Sequence, residues 1–66
     1  MKNRLKIERA ILNLTQQELA EKIGVSRQTI NSIELDRFVP STILALKLSR
    51  VFEKPVNGIF ELEDAD

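Results

Sequence analysis

The residues that follow Ser26 concentrate side chains that can form hydrogen bonds with an ordered polar surface. If this segment is a helix, Ile30 and Ile33 define its inner side and Gln28 lies at the centre of its outward side. The other polar residues around that side are Arg27, Thr29, Asn31 and Ser32. Glutamine or asparagine can bond the major-groove edge of adenine, and arginine can bond that of guanine. The helical wheel alone supports base reading and an arbitrary polar face equally.

Catalytic and metal chemistry find little support in the composition. The chain has no Cys and no His, which excludes disulfides, thiolate or imidazole metal sites, and catalysis by either side chain. Its ten acidic residues form no recognisable catalytic pair, and Ser26 and Ser41 are explained as helix caps. We therefore expect no enzyme, and no cofactor, metal or small-molecule ligand.

Charge divides the chain into two parts. Its 66 residues carry no net charge, but residues 1–60 hold ten basic and six acidic side chains, which gives 10 − 6 = +4. Residues 61–66, with the sequence ELEDAD, carry four acidic side chains and no basic one. We expect one small domain over residues 1–60 followed by an acidic tail. Because no apolar run could span a membrane and no signal peptide is recognisable, we expect a cytoplasmic protein.

Apolar spacing and capping residues predict a helix-turn-helix over residues 16–35. A first helix over about residues 4–13 would turn four residues inward: Ile7, Ala10, Ile11 and Leu14. The pattern T-x-x-E at residues 15–18 is typical of a capping box, so a second helix should begin at Gln16 and end at Gly24. Ser26 should cap a third helix over residues 27–35. With only Gly24 and Val25 between them, the two helices must cross at a large angle.

Two more helices are predicted after the motif. Residues 42–53 place apolar side chains around most of a helix circumference, which indicates a central helix contacted on several sides. Pro55 fits the first turn of a very short fifth helix that runs through Phe60. Residues 60–63 alternate apolar and acidic, so they could form a short strand with the chain's own N-terminus or with that of a second copy. The predicted fold is therefore all-α, with five helices and a possible C-terminal strand.

The segment QQELAEKIGVSRQTINSIEL resembles the helix-turn-helix of Cro/cI-like repressors and of the wider xenobiotic-response-element type of regulators. The similarity extends over nearly all of residues 4–60. The positions that match the family pattern are Thr15-Gln16, Leu19-Ala20, Gly24-Val25-Ser26, Ile30, Ile33-Glu34 and Pro40-Ser41. The resemblance implies a compact, lambda-repressor-like DNA-binding domain whose third helix enters the major groove.

The resemblance also implies roles for individual residues. The residues expected to contact bases are Arg27, Gln28 and Ser32. Those expected to contact the DNA backbone are Gln16, Ser26, Thr29, Asn31 and Arg37, although the LDRF sequence around Arg37 departs from the Asn-Gly-Lys loop common in the family. Arg9 and Glu34 match a structural salt bridge. Glu8 stands where many relatives have an apolar residue, so Ile7 is expected to take over and the rotation of the first helix stays open.

These expectations describe a sequence-specific regulator of transcription that binds double-stranded DNA and acts as a repressor by occupying its operator. One copy of the motif covers only half a turn of DNA, so we expect a homodimer on a palindromic site. The residues expected at its interface are Val56, Ile59, Phe60 and Leu62, because a short terminal segment should not be able to bury them. The alternative is a helix-turn-helix module that binds protein, such as an antitoxin, and the acidic tail and zero net charge favour it.

Overall fold

Four α-helices, one 3-10 turn and a two-stranded sheet make up the computed structural model, which describes all residues from 1 to 66. The elements in chain order are β1 (Lys2–Asn3), α1 (Leu5–Ile11), α2 (Gln16–Ile23), α3 (Arg27–Glu34), α4 (Thr42–Phe52), the 3-10 turn (Val56–Gly58) and β2 (Phe60–Glu61). None of the helices is long and apolar enough to cross a membrane.

Local caps fix where α2, α3 and α4 begin. The Thr15 hydroxyl accepts the Glu18 amide at 3.0 Å, and the Thr15 amide donates to the Glu18 carboxylate at 2.9 Å, so the predicted capping box is confirmed. The hydroxyls of Ser26 and Ser41 cap α3 and α4 by accepting the backbone amides of Thr29 and Leu44. Gly24 ends α2 in the left-handed conformation with a φ of 74°, which costs a residue without a Cβ atom very little. The predicted helix-turn-helix is therefore confirmed.

One apolar core joins the helices and the sheet. Its buried members are Leu5, Leu19, Ala20, Ile23, Ile30, Ile33, Leu44, Leu48, Phe52, Ile59 and Phe60. Ala20 is fully buried in α2, the helix that packs directly on α3. Two isoleucines of α3, Ile30 and Ile33, are almost completely buried in this core. The inner side of α3 therefore holds the helix against the rest of the fold.

The rotation of α1 differs from the predicted one. Ile7 and Ile11 are 50% and 63% exposed, whereas Glu8 is only 3% exposed. The Glu8 carboxylate lies 2.8 Å from the Lys54 ammonium and 3.6 Å from the Arg4 guanidinium. The hydrogen bond from Lys54 lowers the pKa of Glu8, and the charge of Arg4 acts in the same direction against the effect of burial. A buried carboxylate is tolerated when it is paired in this way, so α1 turns Glu8 inward beside Leu5 and leaves Ile7 and Ile11 outside.

The fourth helix is less central than predicted. Only Leu44, Leu48 and Phe52 are buried, while Ile43 and Leu46 are 70% and 57% exposed. The prediction was wrong because a wheel counts apolar residues but not the neighbours available to cover them. In this short chain α4 packs mainly against α2 and the 3-10 turn, and its opposite side stays open.

The predicted fifth helix is a single 3-10 turn. Its hydrogen bonds join residues three apart, from the Gly58 amide to the Pro55 carbonyl at 2.8 Å and from the Ile59 amide to the Val56 carbonyl at 3.0 Å. A longer helix cannot form because the Arg4 amide donates to the Ile59 carbonyl at 2.8 Å, and the backbone is in an extended strand conformation at Phe60 and Glu61. The fold is therefore mostly helical with a small sheet, and the prediction of five helices was wrong.

The C-terminal strand pairs with the chain's own N-terminus, one of the two arrangements predicted for it. In the antiparallel register Lys2 lies opposite Glu61, and Asn3 lies opposite Phe60. The tail then folds back over Met1, whose ammonium group lies 3.0 Å from Glu63 and 3.2 Å from Asp66. These two contacts raise the pKa of the N-terminal amine. Part of the acidic tail is thus neutralised within the chain.

Candidate nucleic-acid interface

The third helix presents its polar residues to solvent. Ile30 and Ile33 are 0% and 1% exposed, so they hold α3 against the core as predicted. Gln28, on the opposite side, is exposed and lies under no other part of the chain. Arg27 and Asn31 are exposed as well, and Thr29 and Ser32 are half-buried. The orientation predicted for α3 is therefore confirmed.

A shallow cavity beside α3 collects most of the residues predicted to contact DNA. Its volume is about 320 Å³. The lining residues are Ser26, Gln28, Thr29, Ser32, Arg37 and Phe38. The loop after α3 thus lies next to the outward face of the helix, and it brings Arg37 beside two of the three predicted base-contacting residues. Arg27 does not line the cavity but extends from the first turn of the same helix.

The start of α2 is joined to α3 by one side chain. The Gln16 amide nitrogen donates to the Asn31 side-chain oxygen at 3.2 Å and to the Glu34 carboxylate at 3.1 Å. Within the first turn of α2, Thr15 already accepts from the amides of Glu18 and Leu19. The backbone N–H groups of Gln16 and Gln17 therefore have no partner inside the helix and can donate to an anion. The side chains of Gln16 and Asn31, both predicted to contact DNA phosphates, lie together at this helix start.

The predicted salt bridge between Arg9 and Glu34 is confirmed. The Arg9 guanidinium donates to the two carboxylate oxygens of Glu34 at 2.8 and 3.3 Å, and to the Leu14 carbonyl at 2.8 Å. The two side chains are 17% and 5% exposed. Arg9 is thereby occupied inside the fold. Its charge also neutralises a carboxylate that contacts Gln16, which would otherwise repel a phosphate.

The loop that carries Arg37 and Phe38 is held by Asn3, a residue for which we predicted no role. The Asn3 side chain donates to the Ile33 carbonyl at 2.9 Å and to the Asp36 carboxylate at 2.7 Å. The Arg37 amide donates to the Ser32 carbonyl at 2.9 Å. No local pattern marks Asn3, because its partners are 30 and more residues away in the chain. For Phe38 the only signal was the unusual LDRF sequence of the loop.

The dimensions of this surface suit a DNA duplex. An α-helix with its side chains is 10–12 Å across, and the major groove of B-DNA is about 12 Å wide. Amide, guanidinium and hydroxyl groups on α3 can serve as donors to base edges, and hydroxyls and amides can also accept. The unpaired N–H groups at the start of α2 and the Arg37 guanidinium flank the helix, as backbone phosphates flank the groove.

Two of the four residues predicted at a dimer interface are buried inside the chain itself. Ile59 and Phe60 are 1% and 7% exposed, because the turn and β2 fold them into the core. The prediction is therefore wrong for Ile59, and Phe60 retains only a small exposed part, at the groove that Val56 lines. Val56 is half-buried and Leu62 is 78% exposed. Val56 lines an apolar groove of about 230 Å³ together with Met1, Val39, Pro40, Thr42, Ala45, Leu46 and Phe60.

Comparison with known proteins agrees with this architecture. The helix-turn-helix family model matches residues 5–59. The chain is 52% identical over 64 residues to an HTH-type transcriptional regulator of Methanocaldococcus jannaschii, and 42% identical over 64 residues to one of Bacillus subtilis, with 97% of both chains covered in each case. It is also 41% identical over 66 residues to an HTH-type transcriptional regulator of Archaeoglobus fulgidus, covering all of this chain and 93% of the relative. The chain therefore belongs to the Cro/cI-type helix-turn-helix family.

Proposed function

We propose that this protein is a transcriptional regulator that binds double-stranded DNA sequence-specifically, and that it represses by occupying its operator. The observation that carries the proposal is the orientation of α3, whose isoleucines are buried while Gln28 and its polar neighbours face solvent. The relatives named above are HTH-type transcriptional regulators, which supports the same function here. Such a protein acts in the cytoplasm, where the chromosome is accessible.

In this proposal α3 enters the major groove and its side chains divide two tasks. The base-contacting residues are Arg27, Gln28 and Ser32, of which Ser32 has the shortest reach. The residues that contact the DNA backbone are Gln16, Ser26, Thr29, Asn31 and Arg37. Because Gln16 is already hydrogen-bonded to Asn31, these two side chains would rearrange together around one phosphate. Backbone contacts position the helix, and base contacts supply the sequence preference.

The proposal includes a homodimer, because two recognition helices about 34–36 Å apart read a palindromic site across one turn of DNA. With Ile59 and Phe60 buried, the exposed apolar surface beside Val56 consists of Val39 and Leu46, which are 67% and 57% exposed. Both line the same apolar groove as Val56. The segment that carries Val39 follows directly after α3, so a second copy docked here lies close to the recognition helix.

A salt titration against random duplex DNA tests the proposal. Each phosphate neutralised by a Lys or Arg contributes about −0.9 to the slope of log K against log salt. On random DNA, where Arg27 has no matching base to bind, Arg27 and Arg37 would both neutralise phosphates, so the four arginines of a dimer should give a slope of about −3 to −4. Arg37→Met should make the slope less steep by about 2 in a dimer. Lys6→Met, at an exposed position on α1, is the matched control and should leave the slope unchanged. DNA binding without salt dependence would refute the proposal.

A second function, the binding of another protein, is favoured by one observation. The outward side of α1 is apolar at Ile7 and Ile11, where a surface helix usually carries polar residues. An antitoxin-like module would use such a face for its partner. A partner held by apolar surface is almost insensitive to salt, so the same titration separates this function from DNA binding.

A further inference from the structure

Phe38 is an aromatic residue that lies outside the apolar core. Its side chain is 47% exposed, and it belongs neither to the buried core nor to the half-buried residues packed against it. It is the only apolar residue among the six that line the cavity beside α3. An exposed ring in an otherwise polar cavity is free to contact whatever binds there.

The neighbours of Phe38 indicate which part of a duplex it would meet. Gln28 and Ser32 line the same cavity, and both lie on the outward side of α3, where base edges are read in the proposed function. At those edges the apolar group of a base pair is the C5-methyl of thymine, and phenylalanine is one of the side chains that contact it. Sugars of the DNA backbone are the other apolar surface within reach.

Hydrogen bonds fix the loop up to the residue before Phe38. Asn3 bonds both the end of α3 and Asp36, and the Arg37 amide bonds the Ser32 carbonyl. Because these hydrogen bonds fix the backbone as far as Arg37, Phe38 has less freedom to lose when it makes a contact. A preorganised aromatic group of this kind gains more from a contact than a mobile one.

We propose that Phe38 is a specificity-determining residue, which contacts the C5-methyl of a thymine next to the bases read by Gln28 and Ser32. The proposal rests on the DNA-binding function proposed above and adds one base preference in each half-site. It requires that the methyl group itself, rather than the sugar or phosphate of that nucleotide, contributes to the affinity.

Replacement of single thymines by deoxyuridine tests this contact. Duplexes bound by the wild-type protein are first selected from a random library, and each thymine of the selected site is then changed to deoxyuridine, which lacks only the methyl. At one thymine per half-site the wild-type affinity should fall about fourfold, the value for loss of one buried methyl-sized group. Phe38→Ala should bind both duplexes equally.

Leu35→Ala is the matched control, because Leu35 is an apolar residue of similar exposure, 51%, that does not line the cavity. This variant should keep the fourfold preference for the methyl group. The proposal is overturned if deoxyuridine weakens binding equally in the wild type and in Phe38→Ala. It is also overturned if Phe38→Ala loses the same affinity on random and on selected DNA, because that result indicates a sugar contact. If the wild-type protein enriches no sequence, the proposed function fails and this contact fails with it.

Discussion

The ion pair between Arg9 and Glu34 allows a sharp test of how the recognition helix is supported. Arg9→Met removes the guanidinium and keeps a side chain of similar length. Glu34 is 5% exposed, and after the change its carboxylate keeps only the Gln16 amide as a side-chain donor. The variant therefore leaves a nearly buried charge without its counter-ion.

The expected cost follows from the burial of the pair. Removal of one partner of a buried ion pair costs about 3–5 kcal/mol, and the 17% exposure of Arg9 lets water reach the site, so we expect about 3 kcal/mol. A chain of this length has a free energy of unfolding of about 3–10 kcal/mol. The single variant should therefore lose a large share of its stability. Arg9→Met combined with Glu34→Met removes both charges and should lie within about 1 kcal/mol of the wild type.

Urea unfolding followed by circular dichroism measures these differences. With a slope near 1 kcal/mol per molar urea for a small domain, the midpoint of Arg9→Met should fall by about 3 M. Lys6→Met on the same helix is the control, because Lys6 is exposed and forms no ion pair. Its midpoint should not move. If the single and double variants lose the same stability, the cost does not come from an unpaired Glu34 and the reasoning is refuted.

Three further predictions concern DNA reading, assembly and pH. Gln28→Ala should lose preference for the selected site while it keeps affinity for random DNA, and Gln16→Ala should weaken binding to all sequences alike; binding measurements in which both variants behave the same way would contradict the assigned roles. Leu46→Glu should make the protein monomeric in sedimentation equilibrium. Ile11→Glu, at a similarly exposed position on α1, should leave the dimer intact. If Leu46→Glu stays dimeric and Ile11→Glu becomes monomeric, the interface lies on α1. Folding holds the pKa of Glu18 below its ordinary value of 4.5, chiefly through the hydrogen bond from the Thr15 amide, so its stabilisation is complete above pH 4.5 and is lost as the pH falls through the lower pKa of the folded state. Glu18→Gln keeps the acceptor without the charge, so its stability should decline less in acid than that of the wild type, and parallel curves would show that the capping box does not contribute in this way.

Local chemistry in the sequence was enough to predict the helix-turn-helix. Thr15, Gly24, Ser26 and Ser41 act on backbone groups within four residues of themselves, so their effect can be predicted without a tertiary structure. The orientation of α3 followed from two isoleucines three residues apart. The same applies to the outward position of Gln28, which depends only on helical geometry.

The wrong predictions concern residues whose contact partners lie far away in the sequence. Glu8 is buried because Lys54, 46 residues later, neutralises it, and no periodicity in α1 contains that information. The predicted fifth helix is only one turn long because the Arg4 amide donates to the Ile59 carbonyl. The residues after Ile59 are then paired as a strand with the N-terminus. Phe38 lies at the candidate site because Asn3 of β1 holds the end of α3 and the start of the loop after it. Residue spacing cannot predict this contact.

Selection of bound duplexes from a random DNA library with the wild-type protein decides whether the outward face of α3 reads DNA. We predict enrichment of a palindromic site with half-site centres about 10 base pairs apart, and loss of that enrichment in Gln28→Ala although the variant still binds DNA. Failure of the wild-type protein to enrich any sequence, or an unchanged site in Gln28→Ala, would contradict the claim that the outward face of α3 reads DNA.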